Sequence, residues 1–352
     1  MTTIRKTQRN AWLLYGATGY SGIRIAELAI ARGHRPVLAG RNASAVKELA
    51  QRLGLDSRVC DLDDSAGLRN LVKEFSAVLH CAGPFIHTWQ AMAEACISSG
   101  THYLDLSGEI PIYEGLAAMD PHARAANVML MPGVGFDMVP GDCLALQLKR
   151  LLPDATHLEM GISFEGTLTR GSIRSGMLMG RETLVRRNHQ LLSLKEKQFR
   201  EIDFGPGRCG GRMKLRALTF GDISLGWRTT GIPNITSYQR PVPEFLAVLP
   251  NIKSPADVAL LPAGPSDEEL ATIPSILVGE VRNVAGDARA LRLVGPQAYA
   301  ITFDAALTIA QRVHDGHLRK GFQTPAGVYG EDFIFELDGF SVEPWPPMAM
   351  PS

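Results

Sequence analysis

From Ala11 onward, short apolar runs alternate with longer amphipathic stretches. Ala11–Tyr15 ("AWLLY") reads as a buried strand, and Ser21–Arg32 as a helix whose apolar positions include Ile23, Ala26, Leu28 and Ile30. The pattern then repeats. Strands are predicted at Pro36–Ala39, Arg58–Asp61, Ala77–Cys81 and His102–Leu106, and helices at Ala43–Leu53, Ser65–Phe75 and Thr88–Ser99, with Asn42 placed to cap the helix that follows it. Strands separated in this way need crossover connections, and right-handed crossovers build a parallel sheet with helices on both faces. Pro121–Asn127 and Val128–Met131 add a helix and a strand, and Pro140–Leu152 a further helix.

Beyond Pro153 the period changes. Alternating stretches such as "THLEMGISF" and "MKLRALTF", broken by the glycine-rich "GPGRCGG" at Gly205–Gly211, predict a mainly antiparallel sheet with helices, while Gln297–Val313 returns to a helical pattern. A chain of 352 residues exceeds the length at which one core stops growing, about 250–300 residues, so two lobes are expected. The predicted class is α/β: a doubly wound parallel sheet at 1–140, an α+β lobe at 141–296, and a C-terminal helix and tail at 297–352 packing back near the first lobe.

Composition narrows the partners. The 36 basic and 36 acidic side chains leave no net field to attract a polyanion, so nucleic acid is not expected. The five cysteines are scattered without a Cys-x-x-Cys pair, which argues against a structural zinc and for reduced thiols; no metal is expected. No apolar run reaches the roughly 18 residues of a membrane span, and the N-terminus lacks the apolar core of a signal peptide, so a cytoplasmic protein is expected.

The first crossover carries the chemistry. Strand, then Gly16-Ala17-Thr18-Gly19-Tyr20-Ser21-Gly22, then helix is the context in which a tight turn presents backbone amides and a helix N-terminus to a pyrophosphate. Gly16 is expected to make the turn, Gly19 to leave room for the phosphate, and Gly22 to let helix and strand pack closely. After the second strand stands Gly40-Arg41-Asn42 where an acidic residue would bind the ribose hydroxyls of NAD; a guanidinium there grips a 2′-phosphate, which favours NADP(H). A solvated helix-start arginine is the alternative. Asp61 ends the third predicted strand, where it accepts from an adenine amino group, unless it or Asp63 caps the next helix. Cys81, Ala82, Gly83 and Pro84 close the fourth with small residues suited to lie against the cofactor.

Several motifs in order, "GATGYSG", "CAGPF", "ACISSGTHYLDLSGE", "PGVGFDMVPGD", "FEGTLTRGS", "FGDISLGWRTTGIPNITSY" and "GFQTPAGVYGEDFIFEL", resemble the saccharopine dehydrogenase-like family, including its bacterial trans-acting enoyl reductases. One departure is Phe220 before Gly221-Asp222, where the family pattern has tryptophan. The resemblance implies a Rossmann lobe for NADP(H), a second α/β lobe for the substrate, and hydride transfer to a C=C bond of an enoyl group or to a C=N bond. It implies as partner a small-molecule or carrier-bound substrate, and leaves a homodimer open.

With the hydride supplied by nicotinamide, the protein must orient the acceptor and move one proton. Tyr103, Asp105 and Glu109 at the end of the fifth predicted strand are the candidate acids, Tyr103 and Asp105 sharing a face by alternation. Phe136 and Asp137 in "GVGFDMVPGD", and Arg170 and Arg174 in "GTLTRGSIRSG", are candidates for contacting substrate, the arginines through an anionic group unless they form a solvated basic helix face. Met177, Leu178 and Met179 either line an apolar channel or pack in a core. Each carboxylate has a structural alternative, as a turn cap or a partner of loop amides. No tyrosine has lysine four residues on, which disfavours the Tyr-x-x-x-Lys route of short-chain dehydrogenases. The remaining rivals are imine reduction and a non-catalytic NADP(H)-sensing regulator.

Overall fold

The computed structural model describes residues 11–178 and 182–348. In the first part of the chain β1 (Leu13–Tyr15), α1 (Tyr20–Ala31), β2 (Val37–Gly40), α2 (Ala43–Leu53), β3 (Ser57–Val59), α3 (Ser65–Val72), β4 (Ala77–His80), α4 (Phe85–Ser99) and β5 (His102–Asp105) follow the predicted alternation. Then come α5 (Ile110–Ala118), α6 (Asp120–Ala125) and β6 (Met129–Met131). Every residue of β1, β2 and β4 is buried, as strands covered on both faces require. The ends of the helices are written locally. Asn42 Oδ1 accepts from the Ala45 amide at 3.1 Å to start α2, and Gly54 at φ +63 and Gly100 at φ +66 stop α2 and α4 in the left-handed conformation.

The second part contains α7 (Val139–Leu151), β7 (His157–Phe164), α8 (Arg170–Leu178), β8 (Leu184–Arg187), β9 (Gln190–Ser193), β10 (Phe199–Asp203), β11 (Arg212–Arg216), α9 (Asp222–Thr230) and β12 (Asn234–Gln239). The short helices α10 (Pro243–Val248), α11 (Pro255–Leu260) and α12 (Asp267–Thr272) precede β13 (Ser275–Arg282), β14 (Ala288–Gly295) and the long α13 (Ala298–His314). The chain continues through β15 (Gly321–Phe322), α14 (Pro325–Tyr329) and β16 (Ser341–Pro344).

Two compact units result. The first comprises residues up to Leu106, Leu116–Pro132 and Ala306–Gln323; the second comprises Ser107–Gly115, Gly133–Ala305 and Thr324 onward. The first unit is a seven-stranded sheet in the order β15-β6-β5-β4-β1-β2-β3, with every pair parallel. The second unit has a seven-stranded sheet, β16-β14-β13-β7-β12-β8-β9, and a separate β10-β11 hairpin. Its pairs are antiparallel except β7 with β12, so the sheet is mainly antiparallel, as expected, with one parallel pair. The long excursion between those two strands, which includes α8, β8–β11 and α9, is what lets β12 return in the same direction as β7.

A buried ionic knot ties the hairpin of the second unit to its sheet. Arg200 on β10 reaches Glu159 on β7 at 2.7 Å and Glu280 on β13 at 3.3 Å, and Glu280 also takes Arg282 at 2.5 Å. The Tyr238 hydroxyl donates to Glu159 at 3.0 Å. Around it Ile202, Phe204, Leu215, Ile276 and Val278 form an apolar cluster. Among the described residues no helix is long and apolar enough to cross a membrane.

Boundaries depart from expectation where a side chain intervenes. Helix α4 starts at Phe85 instead of Thr88, because Pro84 presets the entry and the Thr88 hydroxyl bonds the Ala82 carbonyl at 2.8 Å inside the first turn. Strand β3 stops at Val59, ahead of Asp61, whose carboxylate accepts from the Asp63 amide at 3.1 Å and turns the chain.

Gly16 sits at φ +82 with no room for a Cβ, which would lie 2.6 Å from the Ala82 nitrogen and 2.7 Å from the Cys81 carbonyl carbon. Gly54 is also left-handed, but open space surrounds it. Gly16→Ala should therefore lower stability by more than the roughly 1 kcal/mol expected for a side chain at an unobstructed left-handed C-cap, which Gly54→Ala supplies as the comparison. Urea unfolding of the two variants measures the difference, and equal losses would count against a steric constraint at Gly16.

Candidate functional site

In the first unit, the loop after β1 is folded by its own backbone. The amides of Gly16 and Ala17 both donate to the Ala39 carbonyl on β2, at 2.8 and 3.1 Å, and the Gly19 amide turns back to Gly16 at 3.1 Å. Helix α1 then begins at Tyr20 with Gly19 as an N-cap that offers no side chain, so the amides of Ser21 and Gly22 in its first turn have no intrahelical acceptor. A Cβ at Gly19 would meet nothing nearer than the Gly16 oxygen at 3.4 Å, and Gly19 itself is exposed. This leaves a small open cradle over a helix N-terminus. At Gly22 a Cβ would run into the Gly16 oxygen at 2.5 Å and the Ala17 Cα at 2.8 Å, so its small size serves the turn rather than the strand. Thr18 and Ser21 are half-buried beside the cradle, and Tyr20 is stacked under Arg24, whose Cζ is 5.6 Å from the ring.

Arg41 is exposed immediately after β2, close enough to lower the Tyr15 hydroxyl electrostatically while burial, the larger effect, raises it. Asn42 beside it is spent on the cap of α2, accepting from Ala45 and from the Ser44 hydroxyl at 2.9 Å. Asp61 is exposed, and the cap of α3 is neither it nor Asp63 but Asp64, which accepts from the Gly67 amide at 2.9 Å.

Cys81, Ala82, Gly83 and Pro84 follow β4, the Cys81 amide continuing the sheet onto Tyr15 at 2.8 Å. Burial, and then the Asp105 carboxylate, push the Cys81 thiol well above its ordinary range. Beneath this loop His80 is fully buried, its Nε2 3.0 Å from the Thr88 hydroxyl. That hydroxyl donates to Ala82, so it accepts from the ring, and His80 is the Nε2-protonated tautomer. Burial pushes His80 down to about 3, which leaves it neutral. Tyr103 and Asp105 share a face of β5, as alternation requires, and the Tyr103 hydroxyl donates to Asp105 Oδ2 at 2.6 Å. Both side chains are fully buried.

In the second unit, Glu109 Oε2 accepts from the Gly108 amide at 2.8 Å. Across from it lies Asp137, packed so close to Gly108 that a Cβ there would sit 2.7 Å from Asp137 Oδ2. Burial, and then the Glu109 carboxylate, push Asp137 up to about 7. Phe136 is buried edge-on to Phe164, with ring centroids 5.2 Å apart, and its amide donates to Thr302 Oγ1 at 3.1 Å. One turn earlier on α13 stands Tyr299. Its hydroxyl accepts from the Thr169 amide at 3.0 Å and lies 2.8 Å from Ser172 Oγ; burial raises it, and the charge of Asp137 adds to that.

Arg170 does not point its guanidinium into open space, since its Nε donates to the Leu261 carbonyl at 2.7 Å. Arg174 is half-buried on α8. Met177 and Leu178 are exposed, at 45% and 52%, and so are not core; Met179 lies outside the described residues.

Two further carboxylates escaped sequence reasoning. Asp142 on α7 is buried, accepts from the Ala326 amide at 2.7 Å and from the Thr229 hydroxyl, and burial still raises it to about 6. Asp222 on α9 is buried against Gly141 with its Oδ1 lacking a hydrogen-bond partner among the described residues. Burial first, then Asp142, push it up to about 8. Both stand after a glycine, in "PGD" and "FGD", and only the contact between those two segments reveals what the glycines admit.

Residues 12–131 match the family model described as the saccharopine dehydrogenase NADP binding domain. The trans-acting enoyl reductase of Mycobacterium leprae (strain TN) is 32% identical over 155 residues, covering 41% of this chain and 37% of that protein. The saccharopine dehydrogenase-like oxidoreductase of Rattus norvegicus is 30% identical over 228 residues, covering 59% of this chain and 48% of that protein. The match thus spans less than half the length of either relative. Among solved structures, apo saccharopine dehydrogenase (L-Glu forming) from Saccharomyces cerevisiae has the same fold, with a TM-score of 0.62 at 11% identity over 96% of this chain and 100% of that chain. The resemblance drawn from the motifs is borne out.

Raised carboxylates make stability depend on pH. Asp222, titrating at about 8 when folded against an ordinary 3.8, binds a proton in the folded chain that the unfolded chain has released. Its stabilisation is complete below pH 4 and is lost as pH rises toward 8, with a limiting slope of about 1.4 kcal/mol per pH unit. Melting temperatures of wild type and Asp222→Asn at pH 6 and pH 8 should show a fall in the wild type that the amide reduces. Parallel curves would mean that Asp222 does not hold this proton.

Proposed function

We propose, from the saccharopine dehydrogenase-type NADP binding domain that residues 12–131 form, that the protein is an NADPH-dependent oxidoreductase reducing a polarised C=C bond of a small or carrier-bound enoyl substrate. The observation that carries this reading is the open cradle at Gly19 over the N-terminus of α1, followed by the exposed Arg41 at the end of β2. The cradle suits a pyrophosphate, and the guanidinium suits a ribose 2′-phosphate. Bound there, the dinucleotide supplies a hydride.

The chain's own part is to hold the acceptor and move one proton. Asp137 is the donor best suited to that step, because it titrates near neutrality and keeps partial exposure, whereas the Asp105 carboxylate is fully buried under Tyr103. Burial, and then the Glu109 carboxylate beside it, raise Asp137 to about 7, so that it holds its proton in part at neutral pH. Tyr299 and Ser172 offer hydroxyls in the same unit, and Arg174 is a cation suited to an anionic carrier group, whereas Arg170 Nε is held by Leu261. An imine substrate would draw on the same carboxyl to protonate nitrogen; the resemblance to the mycobacterial enoyl reductase favours the C=C bond.

Two measurements test the reading. Fluorescence titration should show NADPH bound more tightly than NADH, and Arg41→Ala should weaken NADPH about tenfold or more while leaving NADH nearly unchanged. An equal loss for both coenzymes would remove Arg41 from 2′-phosphate recognition. With NADPH and a panel of enoyl thioesters and imines, turnover should decline as pH rises through about 7, where Asp137 gives up its proton. Asp137→Asn should cut turnover by about 10²–10⁴ without changing NADPH affinity. Unchanged turnover in that variant would exclude Asp137 as the donor.

A further inference from the structure

Glu114 lies on α5, five residues beyond Glu109, and receives three donors from elsewhere in its unit. Arg228 Nη2 on α9 donates to Oε2 at 2.7 Å, while Arg186 Nη2 on β8 and the Ser224 hydroxyl reach Oε1 at 3.1 and 2.6 Å. The receiving frame is itself immobilised. Arg186 is 3% exposed, donates its Nε to the Ile223 carbonyl and its Nη1 to the His189 carbonyl, each at 2.8 Å, and lies 4.1 Å over the Trp227 ring. Arg228 lies over the same ring at 5.2 Å. From this anchor to Glu109 the path is short and stiff. The Ile112 amide donates to the Glu109 carbonyl at 3.0 Å, and the Tyr113 hydroxyl closes the segment onto the Ser107 carbonyl at 2.5 Å.

We propose that Glu114 is a positioning residue: its clamp between Arg186 and Arg228 holds the Ser107–Gly115 segment so that Glu109 stands beside Asp137. This deepens the assignment of Asp137 as proton donor and rests on it for its functional meaning. A salt bridge that only stabilised the fold would not need to sit on the segment carrying Glu109, nor to collect two guanidiniums braced by one indole. Among the described residues, groups that act on Asp137 or feel its charge include Glu109, Asp222 from α9 and Tyr299 from α13. Of these, only Glu109 belongs to the segment that Glu114 anchors.

The test needs no substrate. Carbon-13 carboxyl NMR of aspartate-labelled protein, assigned with Asp137→Asn, follows the Asp137 titration in wild type, Glu114→Gln, Glu109→Gln and the double variant. Both single variants should lower the proton affinity of Asp137 about tenfold, one pH unit. The double variant should fall no further, because Glu114 acts through Glu109. Arg228→Met provides the opposing control. Loss of a nearby positive charge by itself raises Asp137, whereas a loosened segment lowers it; a downward shift supports positioning, and an upward one overturns it. An unchanged Asp137 in Glu114→Gln, or additive shifts in the double variant, would overturn it as well. Should Glu114→Gln fail to fold, Arg228→Met carries the test alone. A titration that behaves as expected in protein that oxidises no NADPH would sink the oxidoreductase reading and leave the positioning intact.

Discussion

No side chain fits at position 16. The chain leaves β1, turns in the left-handed region and passes so near the backbone of Cys81 and Ala82 that only hydrogen can stand at that Cα. The consequences follow in order. The turn can then spend the Gly16 and Ala17 amides on the Ala39 carbonyl, which binds the loop to β2 as well as to the end of β4. With three parallel strands gathered at one point, α1 starts at Tyr20 behind Gly19, an N-cap without a side chain, and its first amides have no intrahelical acceptor. A helix N-terminus left without a capping side chain is suited to an anion, and here it follows from how tightly the first crossover is wound.

The second unit is organised around a different cost. Asp142 and Asp222 are buried, Asp137 is partly so, and too few donors surround them to keep all three ionised. Desolvation favours the neutral acid in each, and the mutual repulsion of Asp137 with Glu109 and of Asp222 with Asp142 adds to it. At Asp137, whose residue is only partly buried, the same penalty yields an acid matched to neutral pH. At the buried Asp222, the proton is simply part of the folded state. Beyond its burial, Asp222 feels the charges of Asp142 and of Asp137, and their ionisation strengthens its hold on the proton.

Much of the first unit was legible because its signals are local. Asn42 before an apolar-periodic run and the glycines at 54 and 100 after such runs mark helix ends through backbone geometry that no distant contact needs to supply. The glycine spacing and the arginine after β2 were equally readable, since each sits beside its own strand. Errors of two or three residues occurred where a side chain bonded the backbone nearby, as at Thr88 and Asp61. The parallel pairing of β7 with β12 was missed because alternation shows which face a residue takes and says nothing of which strand lies alongside.

What could be derived from the order of residues alone was the alternation of strand and helix, the turn that demands glycine, and the position of an arginine directly after the second strand. Those features depend on φ, ψ and periods of two or 3.6 residues, which are properties of short stretches. Which carboxylate carries a proton at neutral pH was decided only by the folded chain. Tyr103 and Asp105, adjacent on one strand, closed onto each other, while Asp137 met Glu109 from a segment far away in sequence. An ionisation constant reports the solvent that is missing and the charges that are near, and both are set by segments that meet only when the chain is folded.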